Sequence, residues 1–286
     1  MFLQQICTQM TENEGACNEV DTSFSFRLHI VRHAETVANR AGIVLGQIDS
    51  PLTNLGVKQA LAAHHEYGTH NYWKVFSSDL ERCTKTVRLI LFGNTENNDT
   101  DDERKVDIIH LDKRLRERAK GAREGQCKTL SYSKALELLK KRNGNEGESS
   151  GESVPLLETE EEVLERFNKW LEETICAAYA HYCSMKRCGE YNVLAVSHSG
   201  TLRTVFENII GKQLPCNAER EEESGKSGRL VIPNTSKTII EFTAVSESIS
   251  AADEVVVSLG GEGSKLTFCR PQLIEYTKTA HFHRVK

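Results

Sequence analysis

Short apolar runs alternate with longer amphipathic stretches along most of the chain. Residues 26–31, 73–77, 106–111 and 191–197 are runs rich in β-branched and aromatic side chains, which is typical of buried strands. The stretches between them have the spacing of helices with one apolar face. Strands that alternate with helices predict an α/β fold with a mostly parallel central sheet and helices on both faces. In such sheets, ligands bind beyond the carboxyl ends of the strands.

Capping signals delimit the helices. Thr53 stands where a helix begins, and Gly93 directly follows another helical stretch. Thr159, followed by three glutamates, forms a capping box that opens a long helix. The segment 229–276 is β-rich and completes the predicted sheet. We predict four helices, over residues 53–66, 80–92, 159–185 and 200–210.

Polar segments interrupt this pattern without dividing the chain into two self-sufficient halves. We therefore predict a single domain over residues 22–286, preceded by a polar N-terminal extension at residues 1–21. The domain carries surface insertions whose compositions do not support a core. The insertions lie near residues 94–105, 143–153, 217–228 and 246–264.

Composition and charge restrict the class of partner. The chain has 286 residues, of which 38% are hydrophobic and 27% charged, so it has enough apolar material for a buried core. Its formal net charge of -5 provides no global basic field, and we expect no nucleic-acid partner. A polyanionic substrate would instead need a local cluster of arginine and histidine. No apolar stretch reaches about 18 residues, so we expect no membrane partner.

The cysteines and the first residues favour a cytoplasmic location. The nine cysteines are odd in number and include no C-x-x-C pair, so we expect neither a disulfide framework nor a zinc site. Reduced thiols are typical of the cytosol. The N-terminal sequence has no basic segment followed by an apolar run, and we expect no secretory signal. The sequence does not define the oligomeric state.

Candidate chemistry lies where the predicted strands end. Arg32 and His33 directly follow the first strand, and His198 follows the fourth. Arg82 lies on the first turn of the helix after the second strand. Because parallel strands end at one edge of a sheet, we expect these side chains to converge on one pocket. Arginine suits phosphate because its planar fork donates two parallel charge-assisted hydrogen bonds. We also expect free amides at the following helix N-termini to bind an anion.

The motifs around these residues occur in an order known from one enzyme group. They resemble the histidine phosphatase superfamily, in its phosphoglycerate-mutase-like branch, over residues 26–210. LRER followed by G-x-x-E-G, and Pro155-x-x-Glu158-Thr159 before a helix, are most similar to TIGAR-type fructose-2,6-bisphosphatases. The resemblance implies a phosphoglycerate-mutase-like fold. The motifs are VRHAETVANRAGIVLGQIDSPLTNLGVKQA at 31–60, SSDLERCTKT at 77–86, LRERAKGAREG at 115–125 and VSHSGTLR at 196–203.

The resemblance implies a role for five catalytic residues. His33 matches the nucleophile that becomes phosphorylated, and a neutral imidazole can attack phosphorus. Arg32, Arg82 and a protonated His198 match the clamp that stabilises charge on the transferring oxygens. Glu117 matches the donor of a proton to the leaving oxygen, and we expect its pKa to be raised for this role. This chemistry needs no cofactor, and we expect no metal site.

Three further residues have alternative interpretations. The resemblance places Asn39 at the phosphate and Gln47 in the loop at the substrate entrance. By residue type, both also suit caps and turns. Glu124 lies in the same stretch of charged residues as Glu117 and is a second candidate for the acid.

The substrate implied by the resemblance is a small phosphorylated metabolite, with fructose-2,6-bisphosphate favoured. One alternative is a phosphoglycerate mutase or a bisphosphoglycerate phosphatase, although residues 127–151 lack a recognisable mutase pattern. A second alternative is a broad-specificity or phosphoprotein phosphatase, since this fold supports several phosphoesters. A third, of a different class, is a non-catalytic binder, against which the full set of catalytic residue types argues.

Overall fold

The central sheet separates two layers of helices. The computed structural model describes residues 24–93, 108–145, 156–185, 189–214, 220–223, 226–245, 254–258, 265–269 and 271–278. Its strands are β1 Ser25–Arg32, β2 Lys74–Ser77, β3 Ile109–Leu111, β4 Tyr191–Ser197, β5 Arg220–Glu223, β6 Lys226–Leu230, β7 Lys237–Val245, β8 Glu254–Ser258, β9 Lys265–Cys269 and β10 Gln272–Lys278. Its α-helices are α1 Val37–Arg40, α2 Asn54–Ala63, α3 Glu81–Phe92, α4 Tyr132–Asn145, α5 Glu160–Ser184 and α6 Ser199–Val205.

The sheet is parallel where the candidate site lies. Its order is β3-β2-β4-β1-β7-β9-β8, and β10 also pairs with β7. The pairs among β3, β2, β4 and β1 are parallel, whereas β7 and the strands beyond it pair antiparallel. Strands β5 and β6 form a separate two-stranded sheet. The α/β fold predicted from the alternation of elements is confirmed.

The two faces of the sheet carry separate cores. In β1, Leu28 and Ile30 pack in one core with Trp170 of α5, while Val31 packs in the other core with Val87 of α3. All five side chains are fully buried. Burial of each such side chain contributes about 1.5–3 kcal/mol. Because both faces are covered, the strands read as nearly continuous apolar runs rather than as alternating ones.

The register of the parallel strands aligns their carboxyl ends. Arg32 at the end of β1 pairs with Ser197 at the end of β4, so His33 and His198 leave the sheet side by side. Ser77 of β2 pairs with Val196 of β4, one position earlier. Strand β7 runs in the opposite direction and begins beside β1, so residues 233–236 reach the same edge.

The predicted helix boundaries agree with the structure. The Thr53 side chain accepts a hydrogen bond from the Gly56 amide, and Thr159 forms the predicted capping box at the start of α5. Gly93 ends α3 with φ of 69°, a conformation that favours glycine. The helices predicted over 53–66 and 200–210 are α2 and α6, each continued by a π-helical turn, His64–Gly68 and Phe206–Ile210.

Helix α4 was not predicted. Its start carries a local signal, because the Ser131 hydroxyl accepts a hydrogen bond from the Lys134 amide, as an N-cap does. Ala135 is buried on this helix, whereas Leu138 is 40% exposed. Over its first seven residues, 132–138, the buried apolar face of α4 is therefore narrow, and the lysines and glycine of the segment obscure the helical period in the sequence.

The predicted insertions coincide only in part with described residues. The extension at 1–21 and the insertion at 94–105 lie outside the described residues. In the region 143–153, α4 continues to Asn145 and the rest is outside the description. Strand β5 lies within 217–228, and β8 lies within 246–264. No helix in the described part of the chain has the length and apolarity needed to span a bilayer.

Candidate active site

Two buried histidines lie at the centre of the strand edge. The ring centroids of His33 and His198 are 5.2 Å apart, and the residues are 3% and 0% exposed. Arg32 precedes His33, and Arg82, which is 1% exposed, contacts the His198 ring. Glu117, 8% exposed, bonds to the amides that follow His198. The structure thus brings together all five residues that the sequence singled out for catalysis.

The His33 ring is held in one tautomer. Its Nδ1 lies 2.8 Å from the carbonyl oxygen of Ala34. A carbonyl oxygen can only accept, so Nδ1 carries the hydrogen and Nε2 keeps its lone pair. Burial, followed by the charges of Arg32 and Arg82, holds the pKa of His33 well below its ordinary value. The ring is therefore neutral at neutral pH, as a nitrogen nucleophile must be.

The backbone of His33 is anchored by three chain segments. Its carbonyl accepts a hydrogen bond from Asn234 Nδ2 at 2.8 Å, and its amide donates to Ser197 O at 3.0 Å. The next amide, that of Ala34, donates to Thr86 Oγ1 at 3.0 Å. Sequence reasoning gave Asn234 no role. The only signal was its place in the PNTS segment just before a strand.

The structure corrects the expectation that His198 is protonated. Its Nδ1 accepts a hydrogen bond from Arg82 Nε at 3.1 Å, and its Nε2 lies 2.8 Å from Ser78 Oγ. Because guanidinium can only donate, Nδ1 has no hydrogen, and the ring is neutral with hydrogen on Nε2. Burial and then the charge of Arg82 lower the pKa of His198 well below its ordinary value. Ser78, which orients this ring, was missed.

Arg82 is wrapped by the loop that precedes α2. Its Nη1 donates to Ile48 O at 2.7 Å and to Asp49 Oδ1 at 3.0 Å, and its Nη2 donates to Gly46 O at 2.7 Å. With the bond to His198, four of its five N–H groups are engaged, and one is left without a partner among the described residues. Arg82 therefore orients His198 and has one N–H available for a phosphoryl oxygen.

The structure also corrects the expected state of Glu117. Its carboxylate accepts hydrogen bonds from the amides of Gly200, Thr201 and Arg118 at 2.9, 3.0 and 2.8 Å. Burial by itself raises the pKa of Glu117, but the charge of Lys120 and these amides outweigh burial, and the pKa is lowered. A Cβ at Gly200 would lie 2.3 Å from Glu117 Oε1, so glycine is required for this approach.

Several amides at the helix N-termini beside the two histidines bond to protein oxygens, where free amides were expected. At α6 the amides of Gly200 and Thr201 bond to Glu117, as described above. At α1 the Val37 amide donates to Pro51 O and the Ala38 amide donates to Ser50 Oγ. Protein oxygens thus take the place that a phosphate was expected to occupy.

Asn39, Gln47 and Glu124 lie at the rim of the site. Asn39 forms a capping box with Thr36 at the start of α1. The Gln47 side chain bonds to Glu117 O and to Arg116. Glu124 Oε1 accepts from the amides of Gln47 and Lys120, so this carboxylate joins two loops. Of the two candidate acids, Glu117 is the one bonded to the residues that follow His198.

Comparison with known protein families shows to which superfamily the chain belongs. The family described as the histidine phosphatase superfamily (branch 1) matches residues 28–251. The chain belongs to the histidine phosphatase superfamily. Within the described residues, no group of three or more histidine, cysteine, aspartate or glutamate side chains is arranged to hold a metal ion.

Similar proteins include named phosphatases. Fructose-2,6-bisphosphatase TIGAR B of Danio rerio is 36% identical over 149 residues, 51% of this chain and 52% of that protein. The Xenopus tropicalis TIGAR is 38% identical over 166 residues, 58% of this chain and 55% of that protein. The chain thus spans about half the length of these relatives. A broad-specificity phosphatase of Saccharomyces cerevisiae is 28% identical over 231 residues, 79% of this chain and 83% of that protein.

Solved structures support the fold. Phosphoglycerate mutase from Bacillus anthracis superposes with a TM-score of 0.56 at 16% identity, covering 92% of this chain and 98% of that one. Mycobacterial hydrolase 1 superposes with a TM-score of 0.55 at 21% identity, covering 88% and 99%. At such identities the likeness establishes the phosphoglycerate-mutase-like architecture and not the reaction.

Proposed function

We propose that this protein is a phosphoric monoester hydrolase that forms a phosphohistidine at His33 and needs no metal. The observation that carries the proposal is the state of His33. Its ring is neutral, its Nδ1 hydrogen is bound to Ala34 O, and Arg32 and Arg82 lie beside it. A nitrogen lone pair next to two guanidinium groups suits attack on a phosphoryl group.

In the first step, His33 Nε2 attacks phosphorus. The N–P bond forms as the bond between phosphorus and the ester oxygen breaks, and Arg32 and Arg82 stabilise charge on the transferring oxygens. The leaving oxygen takes the proton of the Glu117 carboxyl group, so the alcohol departs neutral and Glu117 becomes a carboxylate.

In the second step, water attacks the phosphorus of phosphohistidine. A proton passes from this water to the Glu117 carboxylate, the N–P bond breaks, and inorganic phosphate leaves. His33 regains its lone pair and Glu117 its proton, so the cycle consumes one water per ester. His198 contributes by holding Arg82, to which it is hydrogen-bonded.

Glu117 must be protonated when the ester binds, whereas its pKa is lowered in the structure. The substrate resolves this difference. A phosphomonoester brings roughly 1.5 to 2 negative charges, and like charges raise the pKa of a neighbouring carboxyl group. Binding of the substrate therefore raises the pKa of Glu117 and favours the protonated form that the first step needs.

The favoured substrate is fructose-2,6-bisphosphate. The support is the likeness to the TIGAR fructose-2,6-bisphosphatases over about half of this chain. A sugar bisphosphate is also a small polyanion, which suits a pocket that contains Arg32 and Arg82 in an otherwise acidic chain.

A second candidate is a broad-specificity phosphomonoesterase, for which one structural observation speaks. The arginines that flank Glu117 are already paired with protein carboxylates. A second phosphate would have to compete with these carboxylates, whereas a single phosphate would not. The broad-specificity relative also matches more of the chain than the TIGAR proteins do. The ion pairs are Arg114 with Asp112 and Glu173, Arg116 with Asp79, and Arg118 with Glu160.

The test is phosphate release by purified protein in the presence of a chelator, with fructose-2,6-bisphosphate, 2,3-bisphosphoglycerate and p-nitrophenyl phosphate. We expect turnover that is lost in His33→Ala, together with a labelled phosphoenzyme that survives alkali and is lost in acid. A kcat/KM for fructose-2,6-bisphosphate at least about tenfold above the others supports the favoured substrate, since tenfold corresponds to about 1.4 kcal/mol of transition-state binding.

Equal kcat/KM values across the three esters would contradict that assignment and support the broad-specificity candidate. Absence of turnover and of phosphoenzyme in a wild-type protein shown to be folded by circular dichroism would contradict the hydrolase itself. That result would favour the non-catalytic binder.

A further inference from the structure

An ion pair connects the loop of Glu117 to the end of β2. Arg116 directly precedes Glu117, and Asp79 directly follows Ser78, whose hydroxyl contacts His198. The pair therefore joins the chain segment of the candidate acid to the segment that orients the second histidine. Neither Arg116 nor Asp79 has a role in the chemistry described above.

The geometry of this pair is bidentate. Arg116 Nε lies 2.7 Å from Asp79 Oδ1, and Arg116 Nη2 lies 2.7 Å from Asp79 Oδ2. The two side chains are 29% and 19% exposed. Two parallel charge-assisted bonds constrain both the distance and the orientation of the planar groups, which a single contact does not.

Further bonds extend from the pair to Glu117. Arg116 Nη1 donates to Gln47 Oε1 at 3.2 Å, and Gln47 Nε2 donates to Glu117 O at 3.4 Å. On the opposite side, Thr201 Oγ1 donates to Arg116 O at 2.7 Å. The two peptide units that flank the Glu117 Cα are thus held, one by Thr201 of α6 and the other by Gln47.

A neighbouring pair of similar geometry points elsewhere. Arg114 forms three side-chain bonds with Asp112, at 3.0, 3.2 and 2.7 Å, and these side chains are 29% and 17% exposed. Arg114 also pairs with Glu173 on α5. The ion pairs of Arg114 therefore connect this loop to helix α5, whereas the ion pair of Arg116 connects it to the end of β2.

From this arrangement we propose that Arg116 and Asp79 are positioning residues that hold the Glu117 carboxyl group in line with the leaving oxygen. The inference rests on the proposed function, in which Glu117 is the proton donor. In the wild type, the Glu117 carboxylate accepts bonds from amides of α6. The ion pair sets where the backbone of residue 117 lies relative to His198, and thereby maintains these bonds. A small displacement of an acid impairs proton transfer and leaves phosphoryl binding intact.

The first test uses the leaving group. An alkyl ester needs a proton on its departing oxygen, whereas p-nitrophenolate leaves without one. In Arg116→Gln we expect the single-turnover rate of phosphoenzyme formation to fall about 10- to 100-fold for a sugar phosphate and less than about threefold for p-nitrophenyl phosphate. Asp79→Asn should show the same pattern, and the matched control Arg114→Gln should leave the ratio of the two rates unchanged.

The second test does not require activity. The amides of Gly200 and Thr201 are protected by the Glu117 carboxylate, so their hydrogen exchange reports its position. We expect exchange at these two amides to be about five- to tenfold faster in Arg116→Gln than in Arg114→Gln.

The outcomes separate this inference from the proposed function. Equal loss on alkyl and aryl esters, or no loss on either, contradicts a positioning role for Arg116. If the wild type turns over neither ester, the proposed function fails, and the exchange rates alone decide the positioning role. Unchanged exchange at Gly200 and Thr201 in Arg116→Gln overturns the inference in either case.

Discussion

The proposed nucleophile and the proposed acid of this site are held in different ways. The backbone of His33 and Ala34 is anchored by bonds to the Asn234 side chain, the Ser197 carbonyl and the Thr86 hydroxyl. The carboxylate of Glu117 accepts bonds from the amides of Gly200, Thr201 and Arg118. The first set of bonds fixes the backbone that carries the histidine, whereas the second set holds the carboxylate itself.

His33 and Glu117 also differ in whether their protonation state suits their proposed role. The pKa of each is lowered, and the consequence is opposite. A lowered pKa leaves His33 neutral and able to attack, whereas it leaves Glu117 charged and unable to donate a proton. Under the proposed mechanism, His33 is ready to attack in the absence of substrate, whereas Glu117 first needs a proton. The proposal therefore expects bound substrate to set the protonation state in which the reaction begins.

The largest expected effect contrasts these two groups directly. His33→Ala should lower kcat at least about 10⁴-fold for every ester, because the covalent step is lost. Glu117→Gln should lower the single-turnover rate of phosphoenzyme formation about 10³-fold for sugar phosphates and only a few-fold for p-nitrophenyl phosphate, whereas the later attack of water needs Glu117 with either ester. Steady-state kcat of His33→Ala and single-turnover phosphoenzyme formation in Glu117→Gln, each on both esters, provide the measurement. A leaving-group-independent loss of phosphoenzyme formation in Glu117→Gln would show that this residue is not the acid.

A second contrast concerns the backbone anchor of the nucleophile. Asn234→Ala removes the donor to His33 O, and we expect kcat to fall about 10- to 100-fold to the same extent for alkyl and aryl esters. KM should change little, because Asn234 has no role in phosphate binding here. The test measures kcat and KM on both esters. The control is Asn208→Ala, which changes an exposed residue on the π-helical turn that continues α6. A loss confined to alkyl esters would contradict the assignment of Asn234 to the nucleophile.

A third prediction concerns His29, a second buried histidine on β1, the strand that leads to His33. His29 lies on β1, is 4% exposed, and has its pKa lowered to about 4, chiefly by burial. Below its ordinary pKa the unfolded chain binds a proton that the native protein does not, so stability is lost as pH falls. Between about pH 7.5 and pH 5 this lowers the free energy of unfolding by about 2 kcal/mol.

Urea unfolding of wild type and His29→Gln at both pH values measures this contribution. The variant should lose about 2 kcal/mol less than the wild type over this range, while the exposed-site control His65→Gln should match the wild type. Identical pH dependence in all three proteins would show that His29 is charged or solvated in the native state.

The smallest expected effect concerns the loop around Arg82. Asp49→Asn keeps one acceptor oxygen, for either the Glu81 or the Arg82 amide, and removes the charge that pairs with the guanidinium. Because Gly46 O and Ile48 O still hold Arg82, we expect kcat/KM to fall only about three- to tenfold for both esters. A loss above about 100-fold would show that this charge is a principal determinant of the clamp.

Local signals in the sequence determined the strands, most helix ends and the residues at the catalytic edge. The apolar runs at β1 and β4 and the caps at Thr53 and Thr159 each depend on neighbours within a few residues, and the structure confirms them. Helix α4 was missed because lysines and a glycine interrupt its apolar period in the sequence. The motif order also sufficed to place the chain in its superfamily.

Protonation and orientation were decided only by the tertiary structure. A charged His198 and a Glu117 of raised pKa were reasonable expectations for isolated residue types, whereas in the structure, which holds no substrate, the pKa of both groups is lowered. The partner of His198 Nδ1 lies 116 positions away, and the amides that hold Glu117 lie 83 and 84 positions away. Whether a buried group is charged depends on the donors and charges that face it. Those neighbours are supplied by chain segments that only the folded sheet brings together.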